Sequence, residues 1–426
     1  MANYHIITLA NCHINTLANY ETDILIIGAG PAGSAAALFL GKLGIASIIV
    51  DRSTFPRDKV CGDALSGKVV EVLNKLDRNW TDELSTNEKM LGSWGVTFIA
   101  PNGKSLRVPF STKKEKQTAP GFISKRIDFD DWLVQKVKNS KHTTLFEATE
   151  IRSYTRVNNK IIATVKDGKT FNTKLVIAAD GAYSSFTKDI AGLKTEPEHN
   201  CFGLRAYYKN VQGLDEENFI ELHFLNEILP GYFWIFPLPG GYANVGVGMR
   251  ADKMNNKKIN LKKAFESVLQ NNPAIRERFS GAEQVGEVKL HGLPLGSKKR
   301  KLSGDNYMLC GDAALLIDPF TGEGIGNAMM SGMYAAAQAA QCLQADNFSA
   351  SFINNYDKEL YKRLWPELQL SYRMQQMVTF PSLFNFVVNK ANTNKMLRET
   401  ISCMFEDIDM RARLKSPSFY FKLLFQ

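Results

Sequence analysis

At 426 residues the chain is longer than one ordinary domain, so two or three lobes are expected. Hydrophobic residues make up 44% and charged residues 22%, globular proportions that exclude a disordered or fibrous chain. The formal net charge of +9 points to an anionic partner: nucleic acid, anionic lipid or the phosphates of a cofactor.

Residues 1–20 contain HIITLAN and then HINTLANY, a near-repeat without the character of a targeting segment. They are read as a flexible extension. The apolar run Ile24 to Val50 is long enough for a membrane span. Gly28, Gly30, Pro31, Gly33, Gly41, Lys42 and Gly44 interrupt it, and a strand–turn–helix–strand unit explains those breaks. GAGPAG at 28–33 matches GxGxxG between a buried strand, Ile24 to Ile27, and an Ala/Leu-rich helix. Gly28 permits the tight turn, Gly30 the approach of a pyrophosphate, and Gly33 close helix–strand packing. Ala32 lies at the helix N-terminus, whose free N–H groups attract phosphate. Asp51 ends the second strand where ribose hydroxyls are met, with Arg52 beside it. A dinucleotide site is expected here, the alternative being a Gly-rich turn of another α/β protein.

Further along, WGVTFIAPNGKSLRVPF at 94–110 alternates as strands do around a Pro-Asn-Gly turn. SKRIDFDDWL at 124–133 reads as a helix led by Arg126, and TTLFEATEI at 143–151 as a strand and turn. VIAADGAYSS at 176–185 is an apolar strand closed by Asp180 and Gly181. PGYFWIFPLPGG at 230–241 places Tyr232, Trp234 and Phe236 on one strand face by period two. Such a face either packs a sheet or lines an apolar pocket, and both can hold at once. From 308, MLCGDAALLIDPFTGEGIGNAMM reads as a short strand, Asp312, a Pro/Gly-rich loop and a helix from about Asn327. Residues 346–426 read as helical, with Pro366 as a break. KKEK at 113–116 and KKRK at 298–301 read as solvated loops; no nucleic-acid motif accompanies them, and attraction to an anionic membrane is the alternative. The tail SPSFYFKLLF at 416–425 either lies on a bilayer or docks on the body.

The six cysteines, Cys12, Cys61, Cys201, Cys310, Cys342 and Cys403, show no CxxC pair and no metal spacing, as in a reduced intracellular protein. Cys201, Cys310 and Cys342 are expected in the core. The six histidines show no triad or ligand spacing, and no metal is expected.

The segment at 308–340 resembles the second FAD fingerprint of the p-hydroxybenzoate-hydroxylase-like flavoproteins. That resemblance implies that Asp312 binds the ribityl chain and that the backbone of Gly324 and Ile325 lies against the flavin. It also implies that Asp180 and Gly181 form the DG motif, that Arg126 contacts FAD, and that the backbone at Ala148 meets the adenine. Where the DG pattern usually continues to Arg, this chain has Thr187, with Lys188 beside it.

FPRDKVCGDALSG at 55–67 resembles the PxxKxCGxxxS motif of the geranylgeranyl reductase family through Pro56, Lys59, Cys61, Gly62 and Ser66. Tyr232, Trp234, Phe236 and Pro237 are similar to that family's YxWxFP, followed by Asn244 to Gly248. The family reduces carbon–carbon double bonds of isoprenoid chains on lipids or quinones. It implies Val60 and Gly62 at the cofactor, Cys61 as a proton donor, gate or packing residue near the flavin, and Tyr232, Trp234, Phe236 and Pro237 at the substrate. The expected fold is α/β. A Rossmann-like FAD-binding domain (21–80, 120–190, 290–345) is joined to a discontinuous antiparallel-sheet substrate domain (81–119, 191–289) and a C-terminal helical region. FAD is the expected cofactor, with NAD(P)H or another donor as reductant. The expected location is cytoplasmic, at or near the inner face of a membrane. An FAD-dependent monooxygenase or halogenase and a non-catalytic flavin-binding partner are the alternatives; oligomeric state is open.

Overall fold

The computed structural model describes residues 19–110, 118–394 and 397–398. The basic run at 113–116, the tail at 416–425, Cys12, Cys403 and residues 1–18 lie outside the described residues.

The strand Asn19–Ile27 is the centre of an eight-stranded sheet. Its parallel neighbours are Ser47–Val50 on one side and Thr170–Ala178 on the other, with Leu25 opposite Ile48 and Ile24 opposite Leu175. Thr143–Phe146 and Tyr307–Leu309 extend the parallel set outward. Their inner stretches, Ile24 to Ile27 and Leu175 to Ala178, are unbroken apolar runs because both faces are covered there. The chain leaves the central strand toward Ser47–Val50 and later returns on its opposite side. The crevice at its carboxyl end is therefore a topological switch point, where ligands of open α/β sheets bind. Asn19 and Tyr20 belong to this strand rather than to an extension. Asn19 pairs with Thr170 and the Tyr20 ring stacks on Phe171 at 5.1 Å, because Thr170–Ala178 extends beyond the apolar core and offers a partner.

Two helices cross over this crevice, Pro31–Lys42 and Ile325–Ala345. A Cβ on Gly332 would lie 2.2 Å from the Ala32 carbonyl oxygen, and one on Gly311, ahead of the second helix, 3.2 Å from the Ala32 methyl. Only small residues allow this approach.

The second sheet has seven strands, in the order Glu283–Pro294, Asn200–Lys209, Tyr242–Arg250, Tyr232–Leu238, Ile220–His223, Gly95–Ile99 and Ser105–Pro109. All its pairs are antiparallel except Ile220–His223 with Gly95–Ile99. The whole of Glu283–Pro294 belongs here, so a division at 290 cuts a paired strand. Both faces of Tyr232–Leu238 are used. Trp234 and Phe236 join a cluster with Val96, Leu222 and Phe224, while Phe233 and Ile235 join Val245 and Phe265 behind the sheet.

The helix Ala350–Met377 runs through Pro366 without ending. Proline removes one helical hydrogen bond. Burial of Leu360, Leu364 and Leu368 on both sides of it holds the helix together. The last described helix, Pro381–Thr393, lays Phe384, Val388 and Ala391 on the second sheet's apolar cluster.

Gly332→Ala is expected to destabilise the protein by about 1–3 kcal/mol, because the methyl meets backbone rather than a movable side chain. Gly281→Ala, where a Cβ meets nothing within 4 Å, is the control. Urea unfolding of both variants checks this; equal midpoints would show that the crossing tolerates widening.

Candidate active site

The turn after Asn19–Ile27 is built for close approach. Gly28 has φ +96°, and a Cβ there would lie 2.4 Å from the Ala179 carbonyl oxygen. A Cβ on Gly33 would lie 1.8 Å from the Gly28 carbonyl oxygen, so helix and strand can touch only through glycine. Gly30 differs: the nearest atom to its Cβ is the Arg57 guanidinium at 3.5 Å, which leaves that side open to a ligand. The helix starts with Gly30 as N-cap, Pro31 first and no acidic residue in its first turn, so its positive end is uncompensated. Ala32 packs in the helix crossing.

Asp51 is buried and accepts the N–H groups of Ala29 and Ser53, each at 2.8 Å. Arg52 is exposed beside it, with its charge felt at Asp180. Ala148 takes φ +51° and donates its N–H to the Ser53 carbonyl. Asp180 keeps one buried carboxylate oxygen without a partner, and burial lifts its carboxyl to about 6. Gly181, at φ +86°, has open space where a Cβ would stand.

Asp312 ion-pairs with Lys59 at 2.8 Å. Burial works to raise its carboxyl, but Lys59 and Arg126 hold it below the ordinary range. Arg126 opens the helix Arg126–Lys138 and is clamped by Asp130 through two bonds of 2.6 Å, with Arg57 on the same carboxylate at 2.9 Å. Gly324 begins the helix Ile325–Ala345 with no side chain to cap it. These donors and openings fit a dinucleotide lying across the switch point: the open Gly30 side and helix end for its phosphates, Asp51 for ribose, and Asp312 with the Gly324–Ile325 backbone for the ring end.

Beside that end lies a cavity of about 1380 Å³. Val60, Cys61, Gly62, Arg126, Asp312, Gly324 and Ile325 border it from the first sheet. From the second, Tyr232, Trp234 and Phe236 border it with Val96, Leu222 and Phe224. The cofactor loops and the aromatic strand face one shared space. Pro237 is not part of the lining; period two sends it to the face of Phe233 and Ile235. Cys201, expected in the core, lines the cavity, whereas Cys310 and Cys342 are buried in the core.

Cys61 is half-buried, with the Arg126 guanidinium against its thiol. Burial pushes that thiol above its ordinary value, so it carries its proton at neutral pH. The Tyr232 hydroxyl donates to the Thr321 carbonyl at 2.9 Å. His291 also lines the cavity; burial and Lys59 lower it to about 4, and its Nε2 has no partner.

Two polar networks brace this space. Asp63, buried at φ +69°, accepts the Tyr207 hydroxyl and Asn244 Nδ2, each at 2.8 Å. Asn244 also donates to the Cys61 carbonyl and accepts Trp234 Nε1, both at 2.8 Å. One asparagine thus ties the cysteine loop to the aromatic strand. At the other end Glu323 accepts Ser66 Oγ at 2.6 Å and Lys68 at 2.9 Å, and Lys68 reaches Glu367 at 2.7 Å. Arg363 pairs with Glu367 and Glu71. Asp63, Tyr207, Asp130, His291 and this seam escaped the sequence reading.

Burial lifts the Asp63 carboxyl to about 6, against the pull of Arg205, Asn244 and Tyr207. The folded state keeps a proton that the unfolded chain loses near pH 4. Its contribution to stability is therefore full below that pH and falls as pH rises through 6. Asp63→Asn is expected to flatten this part of the stability profile while keeping an acceptor for Tyr207 and Asn244. Thermal unfolding from pH 4 to 7 checks it; an unchanged slope would assign the titration to another group.

The FAD binding domain family matches residues 21–369. The digeranylgeranylglycerophospholipid reductase of Methanococcus vannielii is 29% identical over 94% of this chain and 98% of its own. Digeranylgeranylglycerophospholipid reductase 2 of Methanosphaera stadtmanae is 31% identical over 79% and 82%. Among solved structures, a geranylgeranyl bacteriochlorophyll reductase-like protein from Thermoplasma acidophilum superposes with a TM-score of 0.75 at 23% identity, covering 96% of each chain. The chain belongs to the FAD binding domain family, in its geranylgeranyl reductase group, and is an FAD-dependent oxidoreductase.

Proposed function

We propose that this protein reduces carbon–carbon double bonds in the isoprenoid chain of a lipid. The observation that carries the reading is the shared cavity. At about 1380 Å³ it exceeds the roughly 300–1,000 Å³ of an ordinary single-ligand pocket, enough for a flavin ring and a long apolar chain together. FAD, when bound, supplies the hydride that such a double bond accepts.

Gly28, Gly30, Gly33, Asp51, Arg52 and Ala148, with Asp180 and Gly181 against the Gly28 turn, would hold the adenylate half and the pyrophosphate. Asp312, Arg126, Val60, Gly62, Gly324 and Ile325 would hold the ring half. Tyr232, Trp234 and Phe236 shield the reacting carbon from water and align the chain along the strand. Cys61 supplies the proton from Sγ, because it lines the cavity and is a thiol at neutral pH. NAD(P)H or another donor supplies the electrons.

The reduced protein, mixed with a polyprenyl phospholipid or an isoprenoid quinone without oxygen, is expected to reoxidise while the chain gains two hydrogens. Reoxidation that waits for oxygen, with an aromatic compound hydroxylated or halogenated, would overturn this reading. A flavin that stays reduced with every alkene offered would make the protein a carrier. Cys61→Ala is expected to lower kcat by about 10²-fold or more with little change in KM; an unchanged kcat would assign the proton to water.

A further inference from the structure

Seven large hydrophobic side chains stand exposed among the described residues. Leu43, Val157, Tyr183 and Leu290 are scattered singly and need no explanation. Phe380 (65% exposed), Leu383 (46%) and Phe386 (48%) fall within seven consecutive positions at the start of the helix Pro381–Thr393. Spaced three apart, they form one stripe along the helix. The opposite side, Phe384, Val388 and Ala391, is buried.

This helix is apolar on both sides, and the two sides lead to different places. Inward, the Phe384 ring packs on Phe224 at 4.7 Å, and Phe224 lines the cavity together with Val378, two residues before Phe380. Outward, the stripe meets solvent on the far side of the helix from that wall. Along the chain the charge near it is one-sided. From Leu368 to Arg398 the sequence has no Asp or Glu, but it carries Arg373, Lys390, Lys395 and Arg398. An apolar stripe in a wholly cationic stretch complements an anionic bilayer. Apolar side chains enter the acyl boundary while Lys and Arg meet the head-group phosphates. No described helix is long and apolar enough to cross a membrane.

We propose that Phe380, Leu383 and Phe386 dock the protein on an anionic lipid bilayer and set the apolar end of the cavity against the acyl layer. This rests on the reading of a lipid substrate. A prenyl chain then passes from the acyl layer to the flavin end without crossing water.

The test uses the full-length, FAD-loaded protein and its Phe380→Ser, Leu383→Ser, Phe386→Ser triple variant, with bound-flavin absorbance as the check on folding. Both are sedimented with phosphatidylcholine vesicles, with and without phosphatidylglycerol. Wild type is expected to pellet with the anionic vesicles, less at high salt. The variant is expected to bind them about tenfold or more weakly and to reduce a detergent-dispersed prenyl lipid as fast as wild type. Equal pelleting of both proteins, or no pelleting of wild type on anionic vesicles, overturns the proposal. So does a variant that changes only its size in solution, since the stripe then faces a second copy of the chain. If vesicle binding depends on the three residues but neither protein reduces any dispersed alkene, the docking surface stands and the reading of the reaction falls.

Discussion

The close crossing of Pro31–Lys42 and Ile325–Ala345 is the constraint from which the site follows. The two fingerprints are almost 300 residues apart in the chain, and each is only half of a cofactor site. They meet because Gly332 lies against the Ala32 backbone, and because Gly311 lies against the Ala32 methyl, where a Cβ would stand 3.2 Å away. A larger side chain at either contact would push the Asp312 loop away from the Gly28–Gly33 turn. The fold spends its smallest residues here, and the geometry of both helix N-termini depends on them.

A second constraint acts through the strand Tyr232–Leu238. Period two gives it two apolar faces, and both are used. Phe233 and Ile235 anchor the sheet from behind, so Trp234 and Phe236 are free to serve as wall. Packing and pocket are therefore not rival explanations of the same residues; alternate residues carry each. Asn244 then fixes the wall to the cysteine loop, because its amide can donate to two acceptors and accept from the indole at once.

What was legible in the sequence was local. The turn Gly28–Gly33, the acid at Asp51 and the strand–loop–helix around Asp312 each declare themselves within about thirty residues, because backbone geometry alone dictates their glycines and their order. The face shared by Tyr232, Trp234 and Phe236 was legible from alternation, and the same alternation argues against Pro237, which a motif match had included. The networks were not legible. Asp63 finds Tyr207 and Asn244 at separations of 144 and 181 residues, and Lys68 finds Glu323 at 255. No local pattern marks a carboxylate whose donors come from another sheet. Pro366 misled for the same reason: a local rule against helix continuation was outweighed by burial on both sides of it.

The distribution of charge in the cavity follows from what each wall must do. Ionised groups on the cofactor side are neutralised at short range: Lys59 by Asp312, Arg126 by Asp130, Lys68 by Glu323 and Glu367. Pairing offsets part of the cost of burying them and weakens the field where the two sheets face each other. Into that region project groups that are uncharged at neutral pH, the Cys61 thiol, the His291 imidazole and the Tyr232 phenol. An alkene carries no charge and offers no hydrogen bond. On the proposed reading, a wall whose ions are mostly paired, closed by neutral donors and aromatic rings, suits an uncharged chain beside a redox cofactor better than it suits water.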